Sequence, residues 1–571
     1  MISKFAVLAI TIFSLLTLQG CGGSGDGGSS SSSEAVLPYC ETITTYTDGI
    51  TITGSAQYEY RTNGNGAIAS PKPIRHAEIR VLNSSGSVIQ CGETNSSGNF
   101  SLVLPNNGAS ATLHLTSRAS NNNVKAYVLN NPTNNSFHSI PVVLTMDSSK
   151  SVGMLTASAT GTLEGGAFNI LDKILDANDF LRTETVNCSA TFSECTAFSV
   201  APLVTVYWSP GVNPGIYVGG GVVSFYIPTD RELYIIGGVD GDINSSDTDH
   251  FDDSIILHEY GHFLEDVYSR TNSPGGSHSG NTVLDPRLAW GEGWANYFQA
   301  AVTGNPVYRD TFGTPEGTSG VFFNEDLESG TSDTPSTTGE GNFREFAITR
   351  ALWDITDTNN EGAGVDQVSA PFSEFWTVFT SSSIGFANTN FNFRNIGLFY
   401  NIQSSLTGGS DWSSVQTGEK QRNNETDYSN TLTIGGACGA TAIQAANISG
   451  SQPENGTVAN SNQFASNDFY QITHSGGDLN LALAYNTSAG NTADLDLYLY
   501  SNDYTFGSSS SVLGSSTNSI NAGQTAGSET ISISNLAAGT YMINVNVFTQ
   551  SRLGASTTYS LSVNSQTACP N

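Results

Sequence analysis

His258-Glu-Tyr-Gly-His262 stands inside the apolar run of residues 255–264 and predicts a metal site on a buried helix. Side chains four residues apart share one face of an α-helix, so both histidines can direct a ring nitrogen at one zinc ion. Glu259 is the only charged residue in this run. Its carboxylate can accept a proton from water at the open metal position, as the general base of metal-dependent hydrolysis does. The alternative is an ordinary helix with two surface histidines.

A second apolar segment, Ala289-Trp-Gly-Glu292-Gly-Trp-Ala-Asn296-Tyr-Phe298, predicts a second buried helix. A catalytic zinc takes a third protein ligand and keeps its fourth position open. Glu292 is the only charged residue of the segment, and a buried carboxylate needs a cation, so we expect Glu292 to be the third ligand. Asn296 lies one turn further and can bind the outer nitrogen of a ligating histidine. The alternative is a surface glutamate in a turn between two glycines.

Together, the two segments resemble the gluzincin metallopeptidases, which include the thermolysin-like proteases and the zinc aminopeptidases. A longer block around them is similar to a set of bacterial lipoproteins presumed to be such peptidases. The resemblance covers residues 200–300 and implies that His258, His262 and Glu292 bind zinc while Glu259 is the general base. The sequence has no Gly-x-Met-Glu-Asn stretch, which the best-known zinc aminopeptidases use to hold a substrate amino terminus. This difference argues against an aminopeptidase.

The resemblance also implies a tyrosine or histidine that stabilises the negative charge developing on the substrate carbonyl oxygen. His278, in a Gly-Gly-Ser-His loop between the two helices, is the first candidate for this catalytic role. Tyr297, Tyr308 and Tyr400 remain open, and an exposed loop histidine is the competing interpretation. A helix predicted over residues 343–354 is expected to close the domain rather than to take part in the chemistry.

Two short strands are predicted upstream of the first helix, at residues 219–227 and 232–236. By the resemblance, the first of them is an edge strand that accepts an extended peptide, with residues 223–225 as the contacts. An ordinary hairpin in the core is the alternative.

The amino terminus predicts export and a lipid anchor. Residues 1–20 combine Lys4 with an apolar run that is too short to cross a bilayer and has the proportions of a signal peptide. Leu18-Gln-Gly-Cys21 resembles a bacterial lipobox, in which Cys21 carries the lipid, and residues 22–35 form a Gly/Ser linker. We therefore expect a membrane-anchored lipoprotein of the cell envelope, in the outer membrane or at the cell surface. A free secreted protein is the alternative.

Two β-rich regions flank the central segment. Residues 36–150 alternate polar and apolar side chains between turn motifs, predict a β-sandwich, and resemble carboxypeptidase-regulatory-like domains. Residues 438–571 predict a second β-sandwich and resemble bacterial pre-peptidase C-terminal domains. The expected fold class is therefore multidomain, with a central α+β zincin-like metallopeptidase domain at residues 151–437 between two β-sandwich domains.

Seven cysteines leave six once Cys21 is assigned to the anchor, and an even number in an exported protein predicts disulfides. The pairs suggested by spacing and by the β domains are Cys40–Cys91, Cys188–Cys195 and Cys438–Cys569. Six cysteines allow about fifteen pairings, so the sequence leaves the choice open.

The 51 acidic and 20 basic side chains give a net charge of −31, which argues against nucleic acid as a partner. Clusters of acidic residues make calcium a candidate second metal. The calcium candidates are Asp240, Asp242, Asn244, Asp247 and Asp249 in one loop, and Asp494 and Asp496 in a strand. The loop lacks the glycine and closing glutamate of an EF-hand, and ordinary solvation is its alternative. For Asp494 and Asp496, solvation at a strand end is the favoured interpretation.

The function expected from these features is zinc-dependent hydrolysis of a peptide or protein substrate at the cell surface. Zinc and Glu259 would together activate water. A catalytically inactive adhesion or binding lipoprotein with a metallopeptidase-like fold is the alternative. The presence of three candidate ligands and a candidate base argues against this inactive alternative. The alternative stays open because no residue is assigned as the donor to the oxyanion.

Overall fold

The structure is a computed structural model of the 571-residue chain. It describes residues 36–271, 273, 278, 284–313, 320–335, 338–358, 368–388, 393–406, 411–422, 429–444, 467–487, 494–501, 512–520, 524–547 and 556–570. The signal peptide, lipobox and linker predicted for residues 1–35 lie outside the described residues. In the part of the chain that is described, the helices are all too short or too polar to cross a membrane.

The described amino-terminal region contains strands joined by turns and irregular segments, without a helix. The strands are β1 (Ile50–Tyr58), β2 (Lys72–Pro73), β3 (Glu78–Asn83), β4 (Val88–Glu93), β5 (Asn99–Leu104), β6 (Ser110–Thr116), β7 (Arg118–Ser120), β8 (Lys125–Leu129), β9 (Ser139–Thr145) and β10 (Lys150–Ala157). One sheet joins β10, β1 and β2, with β5 also on β1, and a second has the order β4-β3-β6-β9. Exposed and buried residues alternate along β5, as expected for a strand with one face in water.

A third sheet mixes strands from the amino-terminal region with strands of the central region. The central strands are β11 (Val204–Tyr207), β12 (Phe225–Ile227) and β13 (Glu232–Tyr234), and the sheet has the order β12-β13-β11-β8-β7. β10 extends past residue 150 and pairs in parallel with β1. Two sheets therefore join residues from both sides of the boundary predicted at residue 150. This is possible because hydrogen bonding between strands, rather than chain order, decides which residues fold together.

Helices dominate the remainder of the central region. They are α1 (Glu164–Thr185), α2 (Gly215–Val218), α3 (Asp253–Tyr268), α4 (Pro286–Thr303), α5 (Glu345–Thr356), α6 (Phe372–Thr380), α7 (Ile396–Ser404) and α8 (Ser413–Gly418), with short 3₁₀ turns at Cys188–Ala190 and Glu340–Phe343. A hairpin of β14 (Val307–Thr311) and β15 (Val321–Asp326) follows α4. The two predicted site helices are α3 and α4, and the helix predicted at residues 343–354 is α5.

The carboxy-terminal region is again made of strands. They are β16 (Ser429–Ile434), β17 (Thr441–Gln444), β18 (Asn467–His474), β19 (Gly477–Thr487), β20 (Leu495–Ser501), β21 (Val512–Ser516), β22 (Ala526–Leu536), β23 (Gly539–Val547), β24 (Ser556–Val563) and β25 (Gln566–Pro570). Leu479, Leu481, Leu483 and Tyr485 of β19 are buried in a core separate from the central one. The protein is therefore multidomain, with helices concentrated between β-rich regions.

All three predicted disulfides are present. Their Cα–Cα separations are 5.4 Å for Cys40–Cys91, 5.7 Å for Cys188–Cys195 and 5.7 Å for Cys438–Cys569. Two of these bonds close long loops within the β-rich regions, and the third closes a short loop after α1.

Candidate metal centre

Helix α3 carries the first two candidate ligands on its buried face. The helix begins at Asp253, and the backbone carbonyl of Asp252 accepts hydrogen bonds from two amides of the first turn. His258 and Glu259 are buried, and His262 is half-buried. The apolar run that predicted this helix therefore packs into the central core, which leaves the histidine face directed toward α4.

Gly261 allows α4 to approach this face closely. A Cβ atom at Gly261 would lie 3.1 Å from the Cα of Ala295, closer than most side-chain contacts. The indole Nε1 of Trp294 donates to the carbonyl of Gly261 at 2.9 Å. These contacts fix the two helices against each other and bring Glu292 opposite the histidines.

The candidate ligand atoms converge. The Nε2 atoms of His258 and His262 are 3.1 Å apart, and Glu292 Oε2 lies 3.3 Å from each of them. Two ligands bound to a tetrahedral zinc at about 2.0–2.1 Å lie about 3.3–3.4 Å from each other. The triangle formed by these three atoms therefore has the size that one zinc ion requires.

The hydrogen bonding around this triangle also fits a cation. Glu292 is 9% exposed, and its Oε2 accepts no hydrogen bond of acceptable geometry from the described residues. Burial alone would raise the pKa of Glu292, but His278 and His262 hold this pKa well below its ordinary value, so the carboxylate is ionised. A buried anionic oxygen without a donor is unfavourable unless a cation balances it.

Asn296 orients the first histidine, as the sequence predicts. Its Oδ1 lies 2.7 Å from His258 Nδ1, and its Nδ2 donates to Glu345 Oε1 at 2.8 Å. Because the bond to Glu345 fixes which end of the amide is oxygen, His258 Nδ1 must be the donor. The lone pair on His258 Nε2 is then free to face the metal position.

Glu345, at the start of α5, is the residue that the sequence interpretation missed. Helix α5 was expected only to close the domain, but Glu345 Oε2 also lies 2.9 Å from His278 Nδ1. One buried carboxylate therefore holds His278 directly and His258 through Asn296. The available signal was an acidic residue in the first turn of a buried helix, which differs from the lone charge that identified Glu292.

His278 lies beside the triangle rather than in it. Its Nε2 is 3.5 Å from Glu292 Oε2, yet it is absent from the group of ligand atoms that all lie within 4.8 Å of one another. Burial lowers the pKa of His278, but Glu292 and Glu345 outweigh this and raise it to about 10. His278 is thus an imidazolium that can donate a hydrogen bond near the metal position.

Tyr308 is the second donor near the centre. Its ring lies 6.0 Å from that of His258, edge to face. Burial and the charges of Asp310 and Glu259 hold the pKa of Tyr308 well above its ordinary value, so its hydroxyl stays protonated. The other two tyrosines are engaged elsewhere, because Tyr297 pairs with Thr356 and Tyr400 with Gln421.

Glu259 faces the same space from α3. Burial raises the pKa of Glu259, and the two neighbouring histidines partly offset this effect. A carboxylate with a raised pKa is a stronger base than one in water, which suits the proton-accepting role.

The upstream strands are shorter than predicted. Only residues 225–227 of the first segment form a strand, β12, whereas residues 219–224 form turns and irregular structure after helix α2. β12 does lie at the edge of its sheet, and Tyr226 donates to Asp266 of α3 at 2.9 Å. Val223 precedes β12 and is 48% exposed. Among the described residues, β13 is the only strand that pairs with β12, so its outer edge carries no described strand.

The calcium candidates separate into different environments. Asp240 and Asp242 lie in an exposed loop, whereas Asp247 and Asp249 join Asp310 of β14 in a second group of converging carboxylates. Asp494 and Asp496 were expected to be solvated but are buried. Their side chains do not belong to either potential metal group found among the described residues.

Comparison with known proteins gives partial matches. Residues 191–391, which contain both site helices, match the family described as "Mycolysin C-terminal domain". An uncharacterized protein of Archaeoglobus fulgidus is 31% identical over 122 residues, which are 20% of this chain and 30% of that protein. The chain therefore spans less than a third of the length of this relative.

Two solved structures are similar over about a quarter of the chain. The pre-peptidase C-terminal domain of a Bacillus anthracis collagenase is 12% identical, with 24% of this chain and 94% of that chain covered and a TM-score of 0.15. Aeromonas hydrophila PliG, a periplasmic lysozyme inhibitor, is 13% identical, with 24% and 98% covered and a TM-score of 0.15. TM-scores this low do not identify a fold.

Proposed function

We propose that this protein is a zinc metallopeptidase of the gluzincin type. The observation that carries the proposal is the triangle of His258, His262 and Glu292, with Glu259 buried beside it. The match of residues 191–391 to a mycolysin domain supports an association with peptidases. His258, His262 and Glu292 would hold the zinc.

When bound, zinc would polarise the substrate carbonyl and lower the pKa of a water molecule. Glu259 then accepts the proton of the attacking water and passes it to the leaving amine. Asn296 and Glu345 keep His258 in the tautomer that presents Nε2. No covalent bond between enzyme and substrate is needed, because water is the nucleophile.

Tyr308 and His278 are the proposed donors to the oxyanion that develops during attack. Tyr308→Phe removes one hydroxyl donor without changing packing, so we expect kcat to fall about 100-fold while KM and zinc content stay close to wild type. Steady-state kinetics with one peptide substrate and metal analysis measure this. Tyr297→Phe is the matched control, because that hydroxyl bonds to Thr356 instead. An unchanged kcat for Tyr308→Phe, with a large loss for His278→Gln, would assign the role to His278 alone.

The substrate is proposed to be an extended peptide or protein segment. β12 is an edge strand next to α3, and the exposed residue Val223 precedes it. A peptide that adds to this edge runs beside the helix that carries Glu259, which would bring a scissile bond near the metal position.

We further propose that the protein is anchored to a membrane of the cell envelope through Cys21. Cys21→Ala removes the thiol that would carry the lipid, so mature protein is expected to move from the membrane fraction to the soluble fraction. Fractionation and immunoblotting of cells that express each form measure the shift. Equal retention of both forms in washed membranes contradicts the anchor.

Purified protein incubated with a diverse peptide library tests the function itself. One zinc per chain and discrete cleavage products are the expected result, with cleavage lost on chelation and restored by zinc. Stoichiometric zinc without any cleavage would instead favour a catalytically inactive binding lipoprotein.

A further inference from the structure

We propose that Asp247, Asp249 and Asp310 form a binding site for a calcium ion, separate from the zinc ligands. One carboxylate oxygen from each residue lies within 4.8 Å of the others. Oxygens that share a calcium at about 2.4 Å can lie at most about 4.8 Å apart, so the three atoms can bind one ion. The exposed Asp240 and the half-buried Asp242 of the upstream loop are outside this group.

Unsatisfied buried oxygens distinguish this group from an ordinary acidic patch. Asp249 is only 3% exposed, and its Oδ1 has no hydrogen-bond partner among the described residues. Within the described part of the chain, the Oδ1 atoms of Asp247 and Asp310 are also buried without a hydrogen-bond partner. The other oxygen of Asp249 accepts from the hydroxyl of Ser224, which holds the side chain in place. A buried carboxylate oxygen without a donor points to a cation as its partner.

The negative charges around these three residues also favour a bound cation. Burial raises the pKa of Asp249, and the neighbouring carboxylates of Asp247, Asp310 and Asp252 raise it further. The described residues show no Lys or Arg in an ion pair with any of the three proposed ligands. Asp252 adds a fourth negative charge, although its own oxygens already accept from Thr311. Carboxylate oxygens are ligands for hard divalent cations, and a loose all-oxygen cluster suits calcium.

The position of the site would allow a bound ion to stabilise the contact between two segments of the chain. Asp247 and Asp249 precede α3, whereas Asp310 belongs to β14 after α4, so a shared ion would join two segments that are distant in sequence. Tyr308 lies two residues before Asp310 on the same strand. If the proposed function holds, calcium would therefore fix the strand that presents Tyr308, but ion binding itself does not depend on catalysis.

Calcium binding to the full-length protein, stripped of metals and reloaded with zinc, tests the proposal. Equilibrium dialysis is expected to give one calcium per wild-type chain, with affinity about tenfold or more weaker in Asp310→Asn. Asp240→Asn is the matched control, because it removes a carboxylate from the same region and asparagine tolerates the left-handed backbone at that position, φ 51°. This control should bind calcium as the wild type does. Glu292→Gln should also bind calcium normally, which separates this test from the zinc proposal.

Thermal unfolding distinguishes an ion site from a purely structural cluster. Calcium should raise the melting temperature of the wild type and of Asp240→Asn but not that of Asp310→Asn. Without calcium, Asp310→Asn should be at least as stable as the wild type, because one of several repelling carboxylates is gone. The proposal is overturned if the wild type binds no calcium at about 10 mM, or if Asp240→Asn weakens binding as much as Asp310→Asn does.

Discussion

Glu259→Gln is expected to reduce peptide hydrolysis by about three powers of ten while zinc stays near one per chain. Glutamine keeps the size of the side chain and the helix, but it cannot accept the proton of the attacking water. Glu259 also lies outside the group of three converging ligand atoms, so the metal should be unaffected. Single-turnover cleavage of a peptide from the library, together with metal analysis, measures both quantities.

Glu265→Gln is the control for this variant, since it makes the same substitution in the same helix. Burial raises the pKa of Glu265 to about 8, so this side chain is largely neutral at pH 7, as glutamine is. Its Oε1 accepts from Trp290 Nε1 at 3.0 Å, a bond that a glutamine oxygen can also accept. Activity and zinc content should therefore stay near wild type. Equal losses in both variants would mean that the helix, not the base, had been damaged.

Glu292→Gln is expected to lower both zinc content and activity. The substitution replaces an anionic ligand by a weak neutral one, and it leaves His258 and His262 without the carboxylate that faces both of them at 3.3 Å. Zinc affinity should fall about 100-fold or more, and hydrolysis at limiting zinc should fall with it. Competition with a zinc chelator measures the affinity, and added zinc should restore part of the activity.

The two glutamine variants serve as controls for each other, because only one of them should lose metal. Full zinc and normal turnover in Glu292→Gln would place the third ligand elsewhere and refute the gluzincin proposal. His278, whose Nε2 lies 3.5 Å from Glu292, would then be the next ligand to test.

Much of the candidate site could be predicted from the sequence because its parts are local. His258 and His262 are one helical turn apart, and Asn296 follows Glu292 by the same spacing, so helix geometry alone relates the members of each pair. The lone charge in each apolar segment identified Glu259 and Glu292. The three disulfides could also be proposed, since exported chains rarely leave even numbers of cysteines unpaired.

Other members of the centre come from segments far apart in the chain. Glu345 lies on α5 and is connected to His258 through Asn296, whereas Tyr308 lies on a hairpin and packs edge to face against His258. The close contact of Gly293 with Ile348, whose Cγ2 would be 2.6 Å from an added Cβ, brings α5 against α4 and so positions Glu345. No periodicity within α5 could indicate which helix lies opposite it.

The sequence by itself predicted helices α3, α4 and α5 and led to the proposed histidine ligands, base and third ligand, because these depend on patterns within single helices. Only the tertiary structure decided that Glu345 links His278 to His258, that Asp310 joins Asp247 and Asp249, and that strands cross residue 150. The physical reason is that local periodicity fixes which side chains share a face. The packing of distant segments around a common core fixes which faces meet.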